Sequence, residues 1–488
     1  MDSADGRATS GMESKQSAAS EALEDVCRSF LRARSQVSSQ RIVDVANATQ
    51  IADIRSRATP TREGLLISDT IQEVLDIFSH RVAMDDPRFF GFIPSPVHPS
   101  AFLGDILTTM FNTHAGSWYQ SSGPSAVEDT LLTWLADQAG LPSTSGGVFV
   151  SGGSMANLSA IIAARDTKLK FEDRARARIY LSEQTHSSVQ KGLSIAGFHS
   201  TQTKVVPCDD LYRMKVGSLR EAILEDRAAG MLPFLIVATC GLTNTGGIDP
   251  LPQLADVADE EDLWLHVDGA YGASVVLSKK HKHRATGIGR AHSLSWDAHK
   301  WLFQTYACGV LLVRDKLSLV KTFSTNASYI QDAEEMESSH INFWNRGMEL
   351  TRPARAMKLW FSLRMLGTDK VEEMINHGIA LAETAEESIR SRPDWKLVTA
   401  AQLGIVNFKF SPAGLNERNA DDAAEIEKLN AEISRRAIAR NIAAPLTTRL
   451  KGDLNLRMCA IHPNLTHNHM VQLLGHLSNI AQEVIEGA

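Results

Sequence analysis

Residues 262–273, DLWLHVDGAYGA, and residues 293–302, SLSWDAHKWL, carry the pattern that decides the fold. In the first, Leu263, Trp264, Leu265 and Val267 make a short apolar run that reads as a buried strand ending on a carboxylate, Asp268. In the second, residues 293–296 read as another strand, followed at once by His299 and Lys300. The ends of neighbouring strands share one edge of a sheet, and open α/β sheets bind their ligands outside that edge. An acid there can keep a ring nitrogen protonated, and an amine can bond covalently to an aldehyde.

Outward from this pair the chain alternates. Apolar runs at 147–150, 179–181, 204–206, 234–238, 264–267, 293–296 and 309–313 are separated by helical or loop segments. Seven short strands alternating with helices predict an α/β sheet with helices on both faces. Residues 352–366, RPARAMKLWFSLRML, have helical periodicity, with Gly367 as the stop signal. Beyond it, 371–391 reads as a helix, 405–410 and 453–459 as strands, and 469–485 as a closing helix, which together predict a smaller α+β domain. Upstream, the spacing of Leu23, Val26 and Phe30, and of Ile42, Val45 and Ala46, suits amphipathic helices between 22 and 54. A further helix is expected over 69–79 with Ser68 as its N-cap, then an ordered loop, DPRFFGFIPSPVHP, at 86–99. The expected divisions are a flexible polar tail (1–20), an N-terminal helical segment that contacts a partner subunit (21–110), a large domain (111–366) and a small C-terminal domain (367–488).

Composition is that of a globular protein: 43% hydrophobic and 22% charged residues in a chain of 488, enough for more than one domain. A formal net charge of -7 argues against a nucleic-acid binder. No apolar run reaches membrane-spanning length, and the N-terminal stretch lacks the basic and then apolar order of a secretory signal. The five cysteines, Cys27, Cys208, Cys240, Cys308 and Cys459, are scattered without metal-ligand spacing, so neither a zinc site nor a disulfide framework is expected. A reducing, cytoplasmic setting fits.

Several side chains add chemistry to the opening pair. Gly152, Gly153 and Ser154 follow the strand at 147–150 and open a helical stretch, MANLSAIIAARDTKL. Backbone N–H groups at a helix N-terminus with a serine beside them make an anion site. A lone GGS is more often a tight turn with a serine cap, but beside Asp268 and Lys300 the phosphate reading is the better one. His186, in EQTHSS, can stack on a flat ring or act as acid or base, though a lone histidine is more often a surface or core residue. Thr239 ends the strand at 234–238 on the same edge, as a ligand contact or a strand-terminal hydroxyl, and His299 adjoins the lysine, as a phosphate contact or a local backbone partner. A carboxylate and a lysine at the ends of neighbouring strands are what pyridoxal phosphate chemistry requires.

The motifs GGVFVSGGSMAN, EQTHSS, VATCGLTNTGGIDP, LWLHVDGAYG and SWDAHKW, in this order, resemble the group II pyridoxal-phosphate decarboxylases, whose members act on aromatic amino acids, glutamate, cysteine sulfinate and diaminobutyrate. The resemblance runs from near Pro87 to the C-terminus. It implies the aspartate aminotransferase type of fold (fold type I) and a homodimer with the active site at the subunit boundary. It also implies that Lys300 bonds pyridoxal 5'-phosphate, Asp268 pairs with its ring nitrogen and His186 stacks on the ring. Ser154, the Met155 backbone and His299 would hold the phosphate, and Thr239 would face the cofactor.

By the same resemblance Tyr329, in the polar loop NASYIQDAEEMESSH, would protonate the carbon that loses carbon dioxide. Phenylalanine there accompanies aldehyde synthases, so the tyrosine favours simple decarboxylation; alternatively Tyr329 is one of several exposed loop residues. Arg457, in LNLRMCAI, would contact the substrate carboxylate, or else is a surface arginine on a strand. FFGFIPSP matches the part of the family that lines the substrate side chain, with Phe92, Ile93, Pro94 and Ser95 as candidates and Trp118 near the same pocket. Apolar, aromatic walls favour an aromatic substrate, while the alternative is that these residues pack the core. His98 and the loop pattern also resemble diaminobutyrate decarboxylases, and no second basic residue is placed for a glutamate side chain. The expectation is therefore a pyridoxal-phosphate-dependent carboxy-lyase, with no bound metal, converting an aromatic L-amino acid to its amine. Diaminobutyrate or another non-aromatic amino acid, or an aldehyde synthase reaction, is the alternative.

Overall fold

The computed structural model describes residues 22–28, 40–324 and 341–487. Each of the seven apolar runs becomes a strand: β1 (Gly146–Val150), β2 (Ala177–Ser182), β3 (Thr203–Val206), β4 (Leu232–Thr239), β5 (Trp264–Asp268), β6 (Ser293–Asp297) and β7 (Gly309–Val313). They form one sheet in the order β1-β7-β6-β5-β4-β2-β3. β3, β2, β4, β5 and β6 run parallel, while β7 is antiparallel to both β6 and β1. Every residue of β1, β5, β6 and β7 is buried, which is why these strands read as unbroken apolar runs. The helix Gly153–Lys168 packs across β5, β6 and β7. The strand register aligns three side chains along one edge: Thr239 on β4 lies beside Asp268 on β5, and Asp268 beside Ser295 on β6.

The smaller C-terminal unit has a four-stranded antiparallel sheet, order β10-β11-β9-β8, made of β8 (Trp395–Gln402), β9 (Ile405–Phe410), β10 (Leu446–Leu450) and β11 (Asp453–Cys459). Helices Thr368–Arg390, Ala420–Ala439 and His467–Ile485 pack with it around Phe408, Phe410, Leu456 and Met458. Of these strands, β9 and β11 are legible in sequence; β8 is mostly half-buried, β10 alternates half-buried and exposed residues, and neither was expected.

Three local expectations need correction. Residues 42–46 are not helical: Ile42 is buried and Val43 bridges Val82. The helix begins only at Ala48, where Asn47 and Gln50 form a capping box. The helix expected over 69–79 starts at Ile67, and Ser68 does not cap it; its hydroxyl faces Asp69 instead. The helix expected from Arg352 starts at Ala356, because a residue before proline disfavours the helical region and Pro353 follows Arg352. Gly367 does terminate it, with φ at 75°.

Arg352 has another task. Its guanidinium grips Glu128 at 2.7 and 2.9 Å, with both side chains at 1% exposure. It also donates to the carbonyls of Ala115 and Phe149, and Glu128 accepts the Phe149 N–H at 3.0 Å. Phe149 is the penultimate residue of β1, so this buried pair pins the strand that leads into Gly152 and Gly153.

Candidate active site

The site forms on the carboxyl edge of the parallel strands. β6 ends at Asp297 and turns directly into the short helix Ala298–Trp301, which lifts Lys300 off the sheet. The Lys300 ammonium lies 3.1 Å from Asp297 Oδ2. Asp297 is buried, and its Oδ1 has no hydrogen-bond partner among the described residues. His299 points both its backbone N–H and its Nδ1 at the Cys308 carbonyl, each at 3.1 Å, which fixes the proton on Nδ1. Burial lowers the His299 pKa against the opposing pull of Asp297. Ser95 donates to the His299 carbonyl at 2.6 Å, so the loop FFGFIPSP is tied to the lysine turn.

Asp268 ends β5, nearly buried. Its carboxylate accepts hydrogen bonds from Asn157 Nδ2 at 2.9 Å and from Ser295 Oγ and the Ala270 N–H at 3.1 Å each. Burial alone would push this carboxyl up, but Lys300, His266, the Asn157 amide and the Ala270 N–H outweigh it and hold the pKa below the usual range. Asp268 is therefore a fixed negative charge. Thr239 Oγ1, beside it in register, is buried and has no hydrogen-bond partner among the described residues.

The helix Gly153–Lys168 begins without a side-chain cap, Gly152 standing at that position. Ser154 thus lies in the first turn, exposed, rather than at the cap, while the Met155 N–H is already bonded to the Gly152 carbonyl. A Cβ at Gly153 would meet Asp297 Oδ2 at 2.9 Å, and one at Gly309 would meet the Gly152 Cα at 2.5 Å, so only glycines allow this close approach of turn, β7 and Asp297. An amine, a fixed carboxylate on the next strand, an unpartnered buried hydroxyl and an uncapped helix N-terminus converge here. They fit pyridoxal phosphate, group by group: aldehyde, ring nitrogen, ring substituent and phosphate.

His186 is the N-cap of the helix Ser187–Ile195 and is exposed, its Nδ1 2.8 Å from Ser188 Oγ. Ser188 Oγ is in turn bonded to Asn157, so His186 and Asp268 are linked through that amide. Arg457 is buried and donates to the carbonyls of Thr243, Asn244 and Phe92. It therefore binds β11 to two loops of the large unit, and a carboxylate contact would have to use its remaining N–H groups. Phe92 is 60% exposed with φ at 50°, whereas Ile93 and Pro94 are buried, Ile93 within the main core. Trp118 opens the helix Trp118–Gln138, half-buried, its N–H bonded to Asn342 Oδ1. Tyr329 lies outside the described residues.

Sequence reading missed Asn157, His266, Asp297 and Tyr306, whose ring centroid is 5.3 Å from that of His299. Asp297 had a visible signal, an acid three residues before the lysine in SWDAHKW. Asn157 and His266 had none, because they meet each other, and Asn157 meets Asp268, across more than a hundred residues of sequence. Among the described residues no cluster of His, Cys, Asp and Glu could hold a metal ion, and no helix is long and apolar enough to cross a membrane.

Comparison with known proteins agrees with this chemistry. Residues 51–411 match the model of the pyridoxal-dependent decarboxylase conserved domain. An aromatic-L-amino-acid decarboxylase of Bacillus atrophaeus is 39% identical over 84% of this chain and 84% of its own length. A phenylacetaldehyde synthase of a Rosa hybrid cultivar is 30% identical over 82% of this chain and 81% of its own. Among solved structures, TDC of Oryza sativa with PLP and tryptamine superposes with a TM-score of 0.89 at 25% identity, covering 95% of this chain and 97% of that one. The chain belongs to the pyridoxal-dependent decarboxylases; it is a carboxy-lyase of the group II family with the pyridoxal-phosphate transferase fold.

Proposed function

We propose that this pyridoxal-dependent decarboxylase acts on an aromatic L-amino acid, releasing the arylalkylamine and carbon dioxide. What carries the reading is the Lys300 amine standing beyond the row Thr239, Asp268 and Ser295, in a chain whose relatives are named for aromatic amino acids. The chemistry supplied by pyridoxal phosphate is an electron sink for the pair released when the bond from Cα to the carboxylate breaks.

The roles proposed for the chain's own residues follow from their chemistry. Lys300 holds the cofactor until the substrate amine replaces it, and Asp297 Oδ2, 3.1 Å away, takes the proton that Nζ must lose to become nucleophilic. Asp268 keeps a proton on the ring nitrogen by presenting a charge that its hydrogen bonds prevent from being neutralised. His186 covers one ring face and keeps water from it. Ser154 and His299 hold the phosphate together with the first-turn backbone at Met155, whose N–H would be shared between the phosphate and the Gly152 carbonyl. Thr239 donates its unpartnered hydroxyl to a ring substituent. Arg457, through its remaining N–H groups, orients the substrate carboxylate so that the breaking bond stands across the ring plane. Phe92, Ile93, Pro94 and Trp118 shape the aromatic side of the pocket, and Tyr329 returns a proton to Cα.

The same reading covers assembly. The helix Ile67–Ser79 has no buried residue although Val74, Leu75 and Phe78 are exposed on it, and Leu107, Met110 and Phe111 are exposed on the helix Pro99–Phe111. These uncovered apolar faces fit a homodimer in which residues 21–110 contact the partner, and a cytoplasmic setting fits the free cysteines. The divisions at 20, 110 and 366 remain part of this proposal. Incubation with tyrosine, phenylalanine, tryptophan, dihydroxyphenylalanine, diaminobutyrate, aspartate and glutamate tests it. Equimolar carbon dioxide and amine from the aromatic acids is expected, and turnover of diaminobutyrate alone would refute the aromatic assignment. The similarity to a phenylacetaldehyde synthase supports a second reading, an oxygen-consuming aldehyde synthase. Ammonia equimolar with carbon dioxide would establish that reading instead.

A further inference from the structure

We infer that Asn157 is a positioning residue whose single amide orients both Asp268 and His186, and that His266 and Ser293 fix the orientation of that amide. The inference rests on the reading that Asp268 and His186 serve the cofactor.

The direction of every hydrogen bond in this cluster can be worked out from Asp268. A carboxylate only accepts, so the Asn157 atom 2.9 Å from Asp268 Oδ2 is its nitrogen. The amide oxygen then faces His266 Nε2, also at 2.9 Å, and must accept from it. His266 is fully buried, and burial pushes its pKa down to about 4, so the ring carries one proton, on Nε2. Its Nδ1 is left as an acceptor, filled by the Ser293 hydroxyl at 2.8 Å. Ser293 Oγ in turn accepts the indole N–H of Trp264 at 2.8 Å. The chain runs Trp264, Ser293, His266, Asn157, Asp268, each group donating to the next, and such aligned bonds polarise one another toward the carboxylate.

The amide has a second N–H, and it makes a branch. Asn157 Nδ2 also donates to Ser188 Oγ at 3.1 Å. Ser188 therefore spends its own proton on His186 Nδ1, 2.8 Å away, which its backbone N–H approaches at 3.2 Å as well. With Nδ1 filled as an acceptor, the proton of neutral His186 sits on Nε2, the nitrogen turned away from the cap. One planar group thus orients the carboxylate at the end of β5 and, through Ser188 Oγ, adds a second donor to the Nδ1 of the exposed histidine at the start of the helix Ser187–Ile195. Rotating it by half a turn would aim an oxygen at Asp268 and a donor at His266 Nε2–H, so both ends oppose the flip.

The test is carried out on the full-length apoprotein, labelled with 15N-histidine, with His186 and His266 assigned by difference against His186→Gln and His266→Gln. Long-range proton–nitrogen spectra at neutral pH should show both rings as the Nε2–H tautomer. Ser188→Ala keeps the backbone N–H on His186 Nδ1, so His186 should stay the Nε2–H tautomer with its Nδ1 resonance shifted and His266 unchanged, whereas Asn157→Ala should shift the signals of both. Asn157→Ala should also weaken apoprotein affinity for pyridoxal phosphate about tenfold or more, the scale of one lost hydrogen bond to a charged group. A wild-type His266 protonated on Nδ1, or both histidine signals unchanged in Asn157→Ala, would overturn the inference. If Asn157→Ala does not fold, the wild-type and Ser188→Ala spectra decide. Wild-type protein that binds no pyridoxal phosphate would defeat the cofactor reading by itself, while a wrong tautomer defeats only the role given to Asn157.

Discussion

The buried pair Glu128–Arg352 should show strong coupling, with the double substitution far less harmful than the two single ones added together. Glu128→Leu leaves the Arg352 guanidinium at 1% exposure without its carboxylate, which costs about 3–5 kcal/mol for a broken buried pair. It also removes the acceptor of the Phe149 N–H, about 1–3 kcal/mol more. The sum, about 4–8 kcal/mol, is comparable with the whole stability of an ordinary domain, about 5–15 kcal/mol. Arg352→Met strands Glu128 instead and strips the carbonyls of Ala115 and Phe149. Glu128→Leu/Arg352→Met removes both charges, and because replacing a buried pair by apolar groups is often neutral, its loss should shrink to the three unmet backbone groups, about 1–3 kcal/mol each. Urea unfolding of the apoproteins, followed by far-ultraviolet circular dichroism, measures all four corners of the cycle. Destabilisation of the double variant equal to the sum of the singles would refute the argument that uncompensated buried charge is the main cost.

Three further outcomes are expected. Asp268→Asn keeps an oxygen for Ser295 and Ala270 but loses the charge and sets its amide nitrogen against Asn157 Nδ2, so kcat should fall about 10²–10³-fold and the unfolding midpoint of the apoprotein should fall with it; an unaltered kcat would remove Asp268 from the mechanism. Burial pushes the Asp249 carboxyl up to about 6. The folded protein then binds that proton more tightly than the unfolded chain, so the associated stability is present below about 4, the unfolded value, and is lost as pH rises through about 6. Asp249→Asn should flatten the melting temperature over that window, and an unchanged slope would show that another group carries it. Gly309→Ala forces a Cβ to within 2.5 Å of the Gly152 Cα and should weaken pyridoxal phosphate binding to the apoprotein about tenfold or more. Tryptophan-fluorescence titration measures this, and wild-type affinity would show that the Gly152 turn does not shape the phosphate cradle.

The large sheet was legible because strands buried on both faces print themselves as apolar runs. Leu235, Ile236 and Val237 on β4 or Leu311, Leu312 and Val313 on β7 admit little else. Their order was not legible: nothing local to residues 309–313 says that β7 returns antiparallel between β1 and β6. Ile42, Val45 and Ala46 have helical spacing, yet the pairing of Val43 with Val82 overrides it, a contact visible only in three dimensions. In the site, Lys300 and Asp268 could be named because strand ends deliver them to one edge. Asn157 looked like any polar residue on a helix, and His266 like one of a buried strand. Their significance lies in side chains that meet across the sheet, and periodicity does not record such meetings. Arg457 was read as a substrate contact, but its hydrogen bonds to the carbonyls of Thr243, Asn244 and Phe92 appear only once β11 is folded against those loops.

Lys300 should be the residue to which the cofactor bonds. Borohydride reduction of the holoenzyme fixes the lysine–cofactor linkage, and trypsin then cannot cleave after the modified lysine. The expected product is the uncleaved peptide 291–314, AHSLSWDAHKWLFQTYACGVLLVR, carrying the mass of a reduced pyridoxyl phosphate, and absent from Lys300→Ala. The same adduct on another lysine, or none at all in active protein, would contradict the account.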